Sequence, residues 1–112
     1  WQYRHLIAGG AVDIVQPDVV TVGGFTEGLK VAHMAQAYDL PIATHGWPRI
    51  NMHLVAGVPN GWRVEFHAVP VKLGEAIFID PPKPEGGFVT LSEKPGLGLE
   101  VNEAALKEYE ES

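Results

Sequence analysis

Residues 11–19 (Ala-Val-Asp-Ile-Val-Gln-Pro-Asp-Val) are β-rich and mostly apolar on both faces. A strand of that composition is expected in a parallel sheet covered on both sides by helices. The next segments keep the matching rhythm. Gly23-Gly24 breaks the run, and residues 25–38 show helical spacing, with Val31, Met34, Ala35 and Tyr38 on one apolar stripe. Thr26 is placed to cap that helix, and Asp39 and Pro41 end it. Residues 41–45 (Pro-Ile-Ala-Thr-His) read as a second short strand, 51–58 as a helix, 59–61 as a turn and 62–66 as a third strand. Upstream, residues 2–8 read as the end of a helix stopped by Gly9-Gly10. The order helix, β, α, β, α, β with short connections implies parallel strands joined by right-handed crossovers.

From Ala68 the character changes. Pro70, Pro81, Pro82, Pro84 and Pro95 crowd the chain, and Gly86-Gly87 separates two short β-rich runs, 76–79 and 88–91. These runs are expected to pair as a hairpin across the Pro/Gly-rich loop. Asn102 can cap a last helix over 103–110, with Glu103 at its positive end. The chain therefore divides into an α/β part, 1–67, and a C-terminal extension, 68–112.

Composition narrows the function classes. The 112 residues are 46% hydrophobic and 20% charged, which suits a packed core and not a disordered segment. The formal charge is −6 and no Lys/Arg cluster exists, so nucleic acid is not an expected partner. Cysteine is absent, which excludes disulfides and thiolate metal sites. No apolar stretch approaches the roughly 20 residues of a spanning helix, and no leader pattern opens the chain. A membrane is not an expected partner either, and the cytoplasm is the expected compartment. The chain starts at Trp1, inside what reads as a helix already under way. A fragment of a longer protein is expected; a short helix left after leader processing is the other reading.

Three parallel strands do not make a stable sheet alone. The α/β part is either a small open unit or part of a closed barrel, and periodicity does not choose between them. Alternation puts Gln16 and Asp18 on one side of their strand. Asp18, His45 and Glu65 lie near the C-terminal ends of three successive strands, the rim where α/β barrels build their active sites. A carboxylate beside an imidazole at matching strand ends can fix its tautomer and leave the other nitrogen for proton transfer. Each residue also has a plainer use: Asp18 as a cap, His45 as a satisfied core residue, Glu65 as a solvated or paired strand carboxylate. His5, His33, His53 and His67 show no metal-ligand spacing, and Gly23-Gly24 reads as a turn more readily than as an anion cradle.

Several motifs in order resemble one family. Residues 13–18 (Asp-Ile-Val-Gln-Pro-Asp), Gly23-Gly24-Phe25-Thr26-Glu27, Pro41-Ile42-Ala43-Thr44-His45-Gly46 and Pro95-Gly96-Leu97-Gly98-Leu99 resemble the late barrel strands and closing motif of the mandelate racemase branch of the enolase superfamily. The resemblance covers nearly the whole chain and implies the last three strands of a TIM-type (β/α)7β barrel. By position it makes His45 the acid/base on the seventh strand, Asp18 its orienting partner on the sixth, and Glu65 on the eighth a hydrogen-bonding group for the substrate carboxylate or enediolate. The implied reaction is abstraction of the proton α to a carboxylate with Mg²⁺ stabilising the enediolate, in a racemase or a sugar-acid dehydratase. Thr44 and Gly46-Trp47-Pro48-Arg49 look closer to the dehydratases.

The same resemblance implies that the Mg²⁺ ligands, a second catalytic group and a capping domain lie upstream, outside this chain. No metal ligand is assigned here, and the 112 residues alone are expected to be inactive. The implied partners are a small carboxylate or sugar-acid substrate, the N-terminal part of the same enzyme and further copies in a homo-oligomer. The competing class is a non-catalytic α/β binding or assembly module, in which the three side chains would scatter instead of converging.

Overall fold

A computed structural model describes residues 2–110; Trp1, on which the fragment reading partly rests, lies outside them. Two strands, β1 (Ile42–Thr44) and β2 (Gly61–Val64), pair in parallel with Ala43 opposite Arg63 and Thr44 opposite Val64. Residues 11–19, expected as a full strand, contribute a single parallel bridge, Val15 to Ile42. Backbone bonds from Val15 N–H to Pro41 O (2.9 Å), Ala43 N–H to Val15 O (3.0 Å) and His45 N–H to Pro17 O (3.1 Å) extend that contact. The spatial order is thus the 15–17 segment, β1, then β2.

Around this sheet lie α1 (Tyr3–Ala8), α2 (Val19–Val22), α3 (Phe25–Gln36) and α4 (Pro48–Ala56). Ile7, Val15, Val19, Val31, Ala32, Ala35, Ile42, Leu54 and Val58 form the core between helices and strands. Gly61 is required at the start of β2, because a Cβ there would collide with the Val55 carbonyl of α4. Asn60 donates from Nδ2 to Ala32 O (3.0 Å) and Leu40 O (2.9 Å), tying the turn before β2 to the end of α3.

Several element boundaries differ from expectation for identifiable reasons. Val19-Val20-Thr21-Val22 has strand propensity but forms one helical turn, capped by Asp18 and closed by Gly23 at φ +112°. α3 starts after Gly24, with no bond from the expected Thr26 cap, and ends at Gln36. Tyr38 therefore lies beyond the helix and is exposed. Asp39 takes φ +56°, and the Leu40 N–H returns to Ala35 O at 3.0 Å, a C-terminal closure of the Schellman kind. α4 begins three residues early because Pro48 occupies the first turn, where its missing N–H is no loss.

The same physics explains an unexpected helix, α5 (Ala68–Ile77), whose first turn contains Pro70. The expected hairpin of 76–79 with 88–91 does not form. Instead β3 (Phe78–Ile79) pairs antiparallel with β4 (Glu100–Val101). Gly86-Gly87, at φ +58° and +85°, makes a tight turn bridged by Glu85 and Phe88 alone. α6 (Glu103–Lys107) is shorter than expected but is capped as foreseen, with Ala105 N–H donating to Asn102 Oδ1 at 3.2 Å. Among the described residues no helix is long and apolar enough to cross a membrane.

Candidate active site

The ends of the three parallel segments lie side by side. His45 N–H bonds to Pro17 O, and Glu65 N–H bonds to Thr44 O at 3.3 Å, so residues 18, 45 and 65 emerge along one rim. The two carboxylate side chains meet at Gly46. Glu65 Oε2 accepts the Gly46 N–H at 2.9 Å. Asp18 Oδ2 lies 3.5 Å from where a Gly46 Cβ would stand. Gly46 itself is buried at φ +82°, a left-handed conformation that glycine adopts without penalty.

Asp18 is only 4% exposed. Its Oδ1 accepts two hydrogen bonds, from Val20 N–H at 3.0 Å as the cap of α2 and from Asn51 Nδ2 at 2.8 Å. The expected bond from Asp18 to the His45 ring is not formed. His45 is exposed, and among the described residues its ring makes no hydrogen bond or ion pair. A solvated imidazole satisfies its nitrogens with water, so nothing within this chain compels it onto the carboxylate. Oδ2, beside Gly46, makes no hydrogen bond among the described residues.

Sequence reading missed Asn51, which is fully buried and joins all these pieces. Its Oδ1 accepts the Val19 N–H at 2.9 Å, and its Nδ2 also reaches His45 O and Trp47 O, both at 3.1 Å. The available signal was a polar residue between Ile50 and Met52 on a helix that otherwise faces the core. Tyr3 was missed as well. Its hydroxyl donates to Gln16 O at 3.0 Å. Burial pushes the phenol above its ordinary value, and the negative Asp18 carboxylate adds to the effect.

Thr44 and Arg49, whose pattern looks closer to the dehydratases, both lie in the interior. Thr44 is fully buried with Oγ1 unbonded. Arg49 is also buried and donates from Nε to Pro82 O (3.1 Å) and from Nη1 to Val71 O (3.0 Å), holding the C-terminal extension. His53 fastens the extension in a similar way, with Nε2 at 3.1 Å from Leu97 O, and its ring meets Phe25 edge to face. Gly23-Gly24 ends α2 and starts α3, and so serves as a turn, the plainer of its two expected uses.

A Mg²⁺ ion does not fit the residues present. Magnesium requires a near-octahedral oxygen shell, whereas the rim offers two carboxylates, each with one oxygen already taken by N–H donors. Among the described residues no group of three or more His, Asp or Glu is placed to hold a metal.

The family described as "Enolase C-terminal domain-like" matches residues 1–105. The chain belongs to this family. Its α/β fold is that of the enolase C-terminal domain, and its relatives are sugar-acid dehydratases and mandelate racemase/muconate lactonizing enzyme-like proteins. Arabinonate dehydratase of Saccharolobus solfataricus is 31% identical over 97% of this chain and 30% of its own length. A mandelate racemase/muconate lactonizing enzyme-like protein from Rubrobacter xylanophilus superposes with a TM-score of 0.88 at 29% identity, over 96% of this chain and 30% of that one. L-Talarate dehydratase from Polaromonas sp. JS666, complexed with Mg and L-glucarate, gives a TM-score of 0.83 at 29% identity, over 95% and 28%. The chain thus spans less than a third of the length of these enolase relatives.

Proposed function

We propose that this chain forms the C-terminal third of a (β/α)7β barrel and supplies the acid/base side of a sugar-acid dehydratase. The observation that carries this reading is that residues 18, 45 and 65 leave their parallel segments along one rim, with the carboxylates of Asp18 and Glu65 both at Gly46, next to His45. Asp18 also caps α2 and Glu65 also holds the Gly46 N–H, so each carboxylate combines a structural bond with its place on the rim. The dehydratases among the relatives, one complexed with L-glucarate, favour a sugar acid over other carboxylates.

In this reading residues 1–67 are the barrel portion and 68–112 an extension that Arg49 and His53 fasten to it. Asp18 Oδ2 receives one His45 ring N–H, which fixes the tautomer. Once a base from the upstream strands has taken the α-proton, the opposite nitrogen, when protonated, delivers its proton to the β-hydroxyl. The C–O bond breaks, the former C–H electron pair forms the Cα–Cβ double bond, and the hydroxyl leaves as water. Glu65 holds the Gly46 backbone and, from the same rim, orients the substrate carboxylate end. Structural neighbours are complexed with magnesium; the ligand set for such an ion would come from upstream strands, with Asp18 kept for His45.

The test uses the full-length protein with arabinonate and L-glucarate as probes, following loss of one water by mass. His45→Asn keeps a similar shape and removes proton transfer, so the rate should fall about 10²–10⁴-fold with the circular dichroism spectrum unchanged. Undiminished turnover by the His45→Asn enzyme, or no turnover of either acid by the parent, would overturn the reading.

A further inference from the structure

We propose that Asn51 is a positioning residue that aims the Asp18 carboxylate at the acid/base histidine, an inference that rests on the function proposed above. The Asn51 side chain has one consistent orientation. Its oxygen faces a backbone N–H, that of Val19, and its NH₂ group faces three oxygens: Asp18 Oδ1, His45 O and Trp47 O. Turning the amide over would set oxygen against three oxygens and NH₂ against an N–H.

The consequence falls on Asp18. With Asn51 Nδ2 at 2.8 Å and Val20 N–H at 3.0 Å on the same oxygen, the carboxylate cannot rotate without breaking a buried, charge-assisted bond. Oδ1 is saturated, and Oδ2 is held against Gly46, the residue next to His45. By bonding His45 O as well, the same NH₂ fixes the distance between the carboxylate and the backbone of the residue it is to serve. Asp18 caps α2 through Val20, so a cap alone would leave the second oxygen free to swing; Asn51 removes that freedom. Full burial makes the arrangement rigid.

The experiment compares Asn51→Leu, which has the same outline but no hydrogen bonds, with Asn51→Ser, a smaller change that secures a folded sample. Both are made in the full-length protein, alone and combined with Asp18→Asn, and assayed with arabinonate and L-glucarate. Rates are expressed per folded enzyme from circular dichroism. A positioning role predicts a kcat loss of about 10- to 100-fold, as expected when a reacting group is displaced by an ångström, with KM within about twofold because ground-state binding is untouched. In the Asp18→Asn background the same change should cost little more, because its effect passes through that carboxylate. A parent-like kcat, or an equal fractional loss in both backgrounds, would overturn the inference while leaving the function standing. An inert parent, or a His45→Asn enzyme as fast as the parent, would remove the function and the inference together.

Discussion

Glu65 Oε2 receives the backbone N–H of Gly46 at 2.9 Å, which links the end of β2 to the residue that follows His45. Because Gly46 is buried, its N–H has no other partner to turn to. Glu65→Ala should therefore cost about 1–3 kcal/mol for an unsatisfied donor, and Glu65→Gln, which keeps an acceptor oxygen, distinctly less. Gly46→Ala meets only ordinary contact with Asp18 Oδ2, so its penalty is conformational, about 1–2 kcal/mol for the left-handed backbone. Urea unfolding of the three variants checks the order.

Arg49 is buried between α4 and the extension, with Gly74 of α5 giving room for the guanidinium. Its Nη2 stands 3.9 Å from the Glu75 carboxylate, too far for a hydrogen bond, so the two carbonyl bonds from Nε and Nη1 do most of the holding. Desolvation lowers the guanidinium from its ordinary value, with Glu75 acting in the opposite direction. Arg49→Met should lose about 1–3 kcal/mol through the two abandoned carbonyls. Hydrogen exchange should quicken selectively in α5 and in residues 78–82, while α3 stays protected.

Tyr3 supplies a pH signature. Its folded-state value is raised above the ordinary phenol value of 10.0, by burial first and Asp18 second. The folded form thus retains the phenolic proton where the unfolded chain has lost it. This contribution is fully present below pH 10 and is lost as pH rises through the folded value. Thermal melts should show a decline in stability beginning near pH 10 that Tyr3→Phe flattens, at the cost of the bond to Gln16 O.

The isolated 112-residue chain should associate. Ile14 and Trp62 are exposed beside the outer edges of the sheet, and Phe88 is 81% exposed over an open cleft of about 570 Å³ lined in part by Trp62, Phe66 and Val89. Val15, by contrast, is covered by the core and contributes nothing to this drive. Covering a side chain of this size is worth about 1.5–3 kcal/mol, a large share of a net stability of about 5–15 kcal/mol. Sedimentation at several concentrations should show mass rising with concentration. A monomer melting cooperatively at one temperature over that range would refute the expectation and show that the unit stands alone.

Local patterns in the chain determined a good deal. Alternation of short β runs with helical spacing foretold parallel strands, and Asn102 marked the start of α6 because a cap acts within one turn. Motif order indicated the enolase family, and strand-end position put Asp18, His45 and Glu65 on one rim. Local reading failed where a residue's effect depended on its place in an element. Pro70 counted among the prolines of an irregular extension, yet it sits in the first turn of α5, where no hydrogen bond is lost. Phe78-Ile79 found its partner at Glu100-Val101 and not at the nearer run, because sheet pairing joins segments whose separation sequence does not record. The same limit hid Asn51, whose partners Asp18 and Val19 lie more than thirty positions away. It also hid the bond of Asp18 Oδ1 to Asn51, whereas the bond to Val20 is the local cap that was one of the two readings of Asp18. A buried amide is recruited by whichever polar groups packing leaves beside it, and only the tertiary structure decides which groups those are.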